Sequence, residues 1–146
     1  MEDDRARASL QEYNRLYAEE NDIYRKYAKK IGMPEAAFWI MYTLRDSDNA
    51  LPQKELCQKL ALPKQTVNSA LKKMETEGVL KLSIETDRRS RLVTLTKKGI
   101  RTAEKSVDAV FGWEQEAMNE LSENEQKKLI ALFRRYRQAL RKHLLE

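Results

Sequence analysis

The sequence has few residues that interrupt regular structure: 146 residues contain 4 glycines and 3 prolines. With no low-complexity tract either, most of the chain is predicted to be regular structure. A single cysteine, Cys57, excludes an internal disulfide and fits a reducing, cytoplasmic compartment. One histidine, His143, beside that one cysteine leaves too few ligands for a dedicated zinc site, so no metal or other cofactor is expected. Long apolar runs are missing as well. The longest, Ala36 to Leu44, falls far short of the ~20 residues that cross a membrane, and no membrane partner is expected. The chain opens on the acidic Met1-Glu2-Asp3-Asp4, which does not read as a secretory signal. No Ser/His/Asp or Cys/His arrangement, phosphate-binding glycine loop or paired-carboxylate signature is present. The reading is therefore of a protein that is not an enzyme.

Charge is what the chain has in an uneven supply. The formal net charge is +5. Residues 1–50 hold 8 Lys/Arg against 10 Asp/Glu, and residues 102–146 hold 8 of each. Residues 51–101 hold 12 against 5, a net +7. A basic region confined to one third of a chain is the electrostatic footprint of a nucleic-acid surface.

Periodicity supplies the elements. A long first helix is predicted over 6–31, with Leu10, Tyr13, Tyr17, Tyr24, Tyr27 and Ile31 on one face and Gly32 at its end. Four tyrosines on one face suit a surface that is half apolar and half wet, such as a subunit interface or a ligand pocket. Pro34 to Arg45 is apolar nearly all round and reads as a buried central strut. Asp46 to Asn49 reads as a turn. Gln53 to Leu60 reads as a short helix with Leu56, Cys57 and Leu60 inward, which favours a buried structural thiol at Cys57 over a redox sensor.

The next stretch is the most informative. Val67, Ala70, Leu71 and Met74 form a buried stripe, while Lys64, Gln65, Thr66, Asn68, Ser69, Lys72 and Lys73 occupy the other face. Small polar and basic side chains of this kind can reach base edges and phosphates in a major groove, with Gln65 and Asn68 the better candidates for adenine edges. An ordinary solvated helix face is the competing reading. Gly78 ends this helix. Val79, Leu80, Leu82 and Ile84, then Leu92, Val93 and Leu95, read as the strands of a hairpin. Its tip, Thr86-Asp87-Arg88-Arg89-Ser90-Arg91, concentrates three guanidinium groups suited to a narrow minor groove, with Asp87 bracing one of them. Two helices joined by a few residues and followed by such a hairpin make a helix-turn-helix with a wing.

Thr96 is read as the N-cap of a helix running to about Leu121. Ser122-Glu123-Asn124-Glu125 is a capping box that starts the last helix. The apolar faces of the first and last helices exceed what one small domain can cover, which predicts a partner chain. Tyr13, Tyr17, Phe38, Trp39 and Tyr42 are candidates to line an apolar pocket between those long helices and the winged region, suited to a small aromatic effector. Core packing is the alternative for the same residues.

Three strings, QKELCQKLAL, TVNSALKKMETEGVL and DRRSRLVTLTKKG, resemble the MarR family of winged-helix transcriptional regulators. The order of elements matches over essentially the whole chain. The resemblance implies a mainly α (α+β) fold, a winged helix-turn-helix with long N- and C-terminal dimerisation helices. It implies residues 1–33 and 99–146 in dimerisation and 34–98 in DNA binding. It also implies a homodimer on a palindromic operator in double-stranded DNA and, in many members, release by a small ligand or by oxidation; the function expected is that of a repressor. Two features depart from the family pattern. Pro52 and Pro63 stand where Ser or Thr is usual, and the first helix lacks the cysteine of the oxidation-sensing branch. A protein-interaction module that keeps the winged fold without reading DNA is the competing function.

Overall fold

The computed structural model describes residues 1–84 and 91–146. In order, the elements are α1 (Glu2–Lys30), α2 (Glu35–Arg45), β1 (Ala50–Pro52), α3 (Gln53–Lys59), α4 (Lys64–Thr76), β2 (Leu80–Ile84), β3 (Arg91–Leu95), α5 (Lys97–Lys105), α6 (Asp108–Asn119) and α7 (Glu123–Leu145). The fold is mainly helical with a small antiparallel sheet in the order β1-β3-β2. The chain forms two compact units, Met1–Val107 and Asp108–Glu146.

In the first unit α2 is the strut expected from its composition. It buries Phe38, Ile40, Met41 and Leu44 and packs against α1, α3, α4, α5, β1 and β3. Each large apolar side chain buried in this way contributes roughly 1.5–3 kcal/mol. The stripe read on α4 is also in the core: Val67, Leu71 and Met74 are buried, and Ala70 is half-buried. Leu80 pairs with Leu95 and Leu82 with Val93, so the buried Leu80, Val93 and Leu95 close the floor of the core.

Strand β1 is absent from the reading of the sequence, which has a turn followed directly by a helix. Three residues are too few to show an alternating pattern. What makes the strand is the turn before it, where Asp48 and Asn49 both take positive φ, 59° and 71°. The Asn49 carbonyl accepts from the Leu95 amide at 2.9 Å, and Leu51 pairs with Val93. Pro52 is tolerated because β1 lies at the sheet edge.

A second difference concerns the single helix read from Thr96 to Leu121. It is two helices, because helical bonding stops at Ser106 and Val107. Ser106 takes φ −130° and ψ −74°, and its hydroxyl donates to the Thr102 carbonyl at 2.6 Å. Its own carbonyl accepts from the Tyr27 hydroxyl at 2.7 Å. A serine bonded back onto its own helix weakens the helix locally, and here a tyrosine from α1 takes up the Ser106 carbonyl.

The Leu-Thr-x-x-Gly string has a mechanical explanation at the junction of α4, β2 and α5. Gly78 sits at φ 77°, and the amides of Gly78 and Val79 donate to the carbonyls of Glu75 and Met74, closing the end of α4. Thr96 clamps that corner. Its amide donates to Val79 O at 3.1 Å, its hydroxyl donates to Gly78 O at 2.6 Å, and the same oxygen accepts from the Gly99 amide at 3.1 Å. The start of α5 therefore lies so close to Val79 that only glycine fits at position 99, where a Cβ would fall 1.9 Å from Val79 O.

In the second unit the capping box at the start of α7 is formed as read. The Ser122 amide donates to Glu125 Oε1 at 2.8 Å, and Ser122 Oγ accepts from the Glu125 amide at 3.2 Å. The Ser122 amide is the main reason the Glu125 carboxyl titrates below its ordinary value, since it favours the charged form. A depressed folded-state pKa contributes stability that is present above the ordinary glutamate range and lost as pH falls through the depressed value. In a carbon-detected NMR titration, Glu125 is expected to protonate at lower pH than exposed glutamates. A value equal to theirs would argue that the box is not closed in solution.

Long apolar surfaces remain uncovered in both units. On α1, Leu16, Tyr17 and Ile23 are exposed; on α6, Trp113 and Met118; and on α7, Leu129, Ile130, Leu132 and Phe133. No residue of α7 is buried.

Candidate nucleic-acid interface

Helices α3 and α4, joined by Leu60 to Pro63, form the helix-turn-helix. Pro63 stands at the N-cap of α4 with no side-chain hydrogen bond to the helix, and Pro52 does the same for α3. Proline loses nothing there, because its missing N–H would have had no intrahelical partner. Neither prolyl ring can cap, however, so the first-turn amides of both helices carry no side-chain cap. Uncapped first-turn amides favour anions.

The outward face of α4 is as read from the sequence. Lys64, Gln65, Thr66, Ser69, Lys72 and Lys73 are exposed and Asn68 is half-buried. Lys64, Asn68 and Lys72 follow one another at a spacing of four, and this row lines a groove of about 690 Å³. The opposite wall comes from α3 through Gln53, Lys54, Cys57 and Gln58, while Leu71, Leu82 and Arg91 complete the lining. Lys54, Lys64, Lys72 and Arg91 thus converge with no carboxylate among the described residues that line the groove. Four cations facing one groove set up a field that attracts polyanions.

Gln65, Thr66, Ser69 and Lys73 lie outside the groove lining, on the exposed side of α4. Of the residues read as the wing, Arg91 is exposed at the start of β3 and lines the groove. Asp87, Arg88, Arg89 and Ser90 lie outside the described residues. Helix α4 is tied to the hairpin by Glu75, whose carboxylate accepts from the Leu82 amide at 3.2 Å.

Sequence reasoning missed the contribution of α3. Gln53, Lys54 and Gln58 carried no signal beyond belonging to a short polar helix, and only the fold, which sets α3 across the groove from α4, brings them there. Cys57 is a correction: it is half-buried and lines the groove instead of filling the core. Asn68 is altered too, because its Oδ1 accepts from Gln53 Nε2 at 2.9 Å.

The five aromatics read as a pocket fall into two sets. Tyr13 and Tyr17 stack on each other along α1, with centroids 6.5 Å apart. Phe38, Trp39 and Tyr42 join Tyr24 and Tyr27 in a chain of ring contacts between α1 and α2, with centroids 4.9–6.4 Å apart. Phe38 is fully buried and serves packing, whereas Trp39 and Tyr42 are half-buried. Among the described residues no group of three or more His, Cys, Asp or Glu could hold a metal ion. No described helix is long and apolar enough to cross a membrane.

Residues 31–90, which contain the helix-turn-helix, match the model of the MarR family. A comparison with curated proteins gave no match. Among solved structures, a MarR family regulator from Neisseria meningitidis is similar at a TM-score of 0.79 and 22% identity, over 93% of this chain and 96% of that one. MepR from S. aureus, solved as a DNA complex, is similar at a TM-score of 0.69 and 19% identity, over 88% and 97%. BpsR from Bordetella bronchiseptica, whose DNA binding is regulated by 6-hydroxynicotinic acid, is similar at 0.67 and 22%, over 88% and 98%. The helix-turn-helix region thus matches the MarR family model, and the chain as a whole has the winged helix-turn-helix fold of those solved structures.

Proposed function

We propose that the protein is a transcriptional regulator that binds a palindromic operator in double-stranded DNA as a homodimer and represses transcription there. The observation that carries the reading is the cationic groove beside the exposed face of α4. In this reading α4 enters the major groove, with Gln65, Thr66, Asn68 and Ser69 toward base edges. Lys54, Lys64, Lys72, Lys73 and Arg91 meet phosphates. Arg88, Arg89 and Ser90 reach the flanking minor groove, where narrow width concentrates negative potential, and Asp87 braces an arginine. That the similar MepR was solved as a DNA complex supports DNA as the partner.

The exposed apolar faces of α1, α6 and α7 support the homodimer, since surfaces of this kind are ordinarily covered by a partner. A two-fold dimer presents two copies of α4, so the preferred site should be a palindrome with half-sites about 10 base pairs apart. Selection from a random DNA library tests both statements together. Enrichment of such a palindrome is the expected outcome. Recovery of no preferred sequence would point to the competing protein-interaction module.

The effector belongs to the same proposal. Trp39 and Tyr42 offer half-buried aromatic surface, suited to a small aromatic acid. Adding hydroxylated aromatic acids at millimolar concentration to the selected complex should release the DNA. Undiminished binding with every acid tried would remove the effector from the reading.

A further inference from the structure

We propose that Gln53 is a positioning residue that decides which base the Asn68 side chain reads. The inference rests on the DNA-binding function proposed above. It starts from one contact between the two helices of the motif: Gln53 Nε2 donates to Asn68 Oδ1 at 2.9 Å, with both residues half-buried in the groove wall.

An asparagine free to rotate reads adenine by a paired contact, its carbonyl accepting from N6 while its amide donates to N7. That pairing needs both ends of the side-chain amide turned to the base edge. Here one of the carbonyl's two lone pairs is taken by Gln53, which holds that end of the amide toward α3. The Nδ2 end has no partner among the described residues. With its carbonyl end held by Gln53, Asn68 offers chiefly the donors of Nδ2, and donors favour a base edge made of acceptors. In the major groove that edge is guanine, through O6 and N7. Gln53 is well suited to impose this. It sits at the first position of α3, directly after the N-cap Pro52.

The same chemistry makes the contact reversible. Gln53→Leu removes the donor at similar volume and frees Asn68 to make the paired adenine contact. Gln53→Glu supplies only acceptors, so Nδ2 of Asn68 turns inward to donate and Oδ1 turns outward, favouring a base with an exposed amino group such as cytosine.

The test compares the full-length protein with Gln53→Leu and Gln53→Glu by site selection from random DNA, followed by titration of operators that differ at one base pair per half-site. Circular dichroism melting confirms that each variant is folded. The wild type is expected to favour guanine at one half-site position. Gln53→Leu should shift preference toward adenine by about tenfold at that position and leave the others unchanged. Gln53→Glu should shift it in a third direction. If the wild type selects a palindrome and both variants select the same one, Gln53 does not position Asn68 and the proposal fails while DNA binding stands. A uniform loss of affinity over all sequences would likewise overturn it, since that is the signature of a backbone contact. If the wild type selects nothing, the underlying function fails with it.

Discussion

Gly99→Ala is expected to lower the melting temperature by about 10 °C or more. The added Cβ would lie 1.9 Å from Val79 O and 2.9 Å from its carbonyl carbon, distances that require a backbone to move. Neither side is free to move. Val79 O is bonded to the Thr96 amide, Gly78 O to the Thr96 hydroxyl, and the Gly99 amide to that same hydroxyl. Overpacking a rigid site typically costs about 1–3 kcal/mol, and a clash with backbone belongs at or above the top of that range. For a chain of this size each kcal/mol is worth about 4 °C. Gly112, in α6, makes the contrast, because a Cβ there meets nothing within 4 Å. Gly112→Ala should stabilise by about 0.5–1 kcal/mol through the helix-forming preference alone. Melting curves of both variants decide the matter. A Gly99→Ala protein as stable as wild type would mean that α5 does not approach Val79 as described.

Replacing Lys54, Lys64 and Lys72 by alanine together should abolish tight DNA binding while leaving the fold intact. All three side chains are exposed, and surface changes of this kind usually alter stability by no more than about 0.5 kcal/mol each. All three line the same groove, and none has a carboxylate beside it in the described lining. A hydrogen bond to a charged group contributes about 1.5–3 kcal/mol, and 1.4 kcal/mol is about tenfold in affinity. The triple variant should therefore bind the selected operator at least about a hundredfold more weakly. The salt dependence is the sharper measurement. For every phosphate that a lysine no longer neutralises, the slope of log K against log salt becomes shallower by about 0.9, so about 2.7 per protomer and twice that for a dimer. Weakened binding with an unchanged slope would show that the groove does not meet phosphate.

Much of this was legible in the sequence where a pattern is local. The apolar circumference of Ala36 to Leu44 identified the buried strut, since a helix with no polar face has to be surrounded. Val67, Leu71 and Met74 marked the inner face of α4, and its outer face followed by subtraction. Ser122 and Glu125, three residues apart, announced a cap that forms with both hydrogen bonds. Thr96 announced another. The excess of Lys and Arg in residues 51–101 pointed to the part of the chain that holds the groove. Strand β1 was not legible, because three residues carry no period and its partner lies more than forty residues away. Nor was the break at Ser106, whose carbonyl is captured by Tyr27 across 79 positions. Cys57 was misread as buried for a related reason. On a helix of 7 residues one apolar face is too short to separate a core position from a groove wall.

The shortage of glycine, proline, cysteine and histidine thus determined a good deal by itself. It set a chain of mostly regular structure with no internal disulfide, and made Gly32, Gly78, Gly99 and the three prolines markers of a cap, an edge or a close approach. Periodicity and charge added the helix-turn-helix and its basic character. Only the tertiary structure decided what faces what. It set α3 across from α4 so that Lys54 and Gln58 joined a groove whose other wall had been visible from the start. It also turned the carbonyl of Asn68 toward Gln53, so that a side chain free in sequence to read adenine offers chiefly donors instead. The physical reason is the same in each case. Caps and stripes depend on residues three or four apart, whereas the orientation of an amide or the clearance above a glycine depends on atoms that only folding brings within 3 Å.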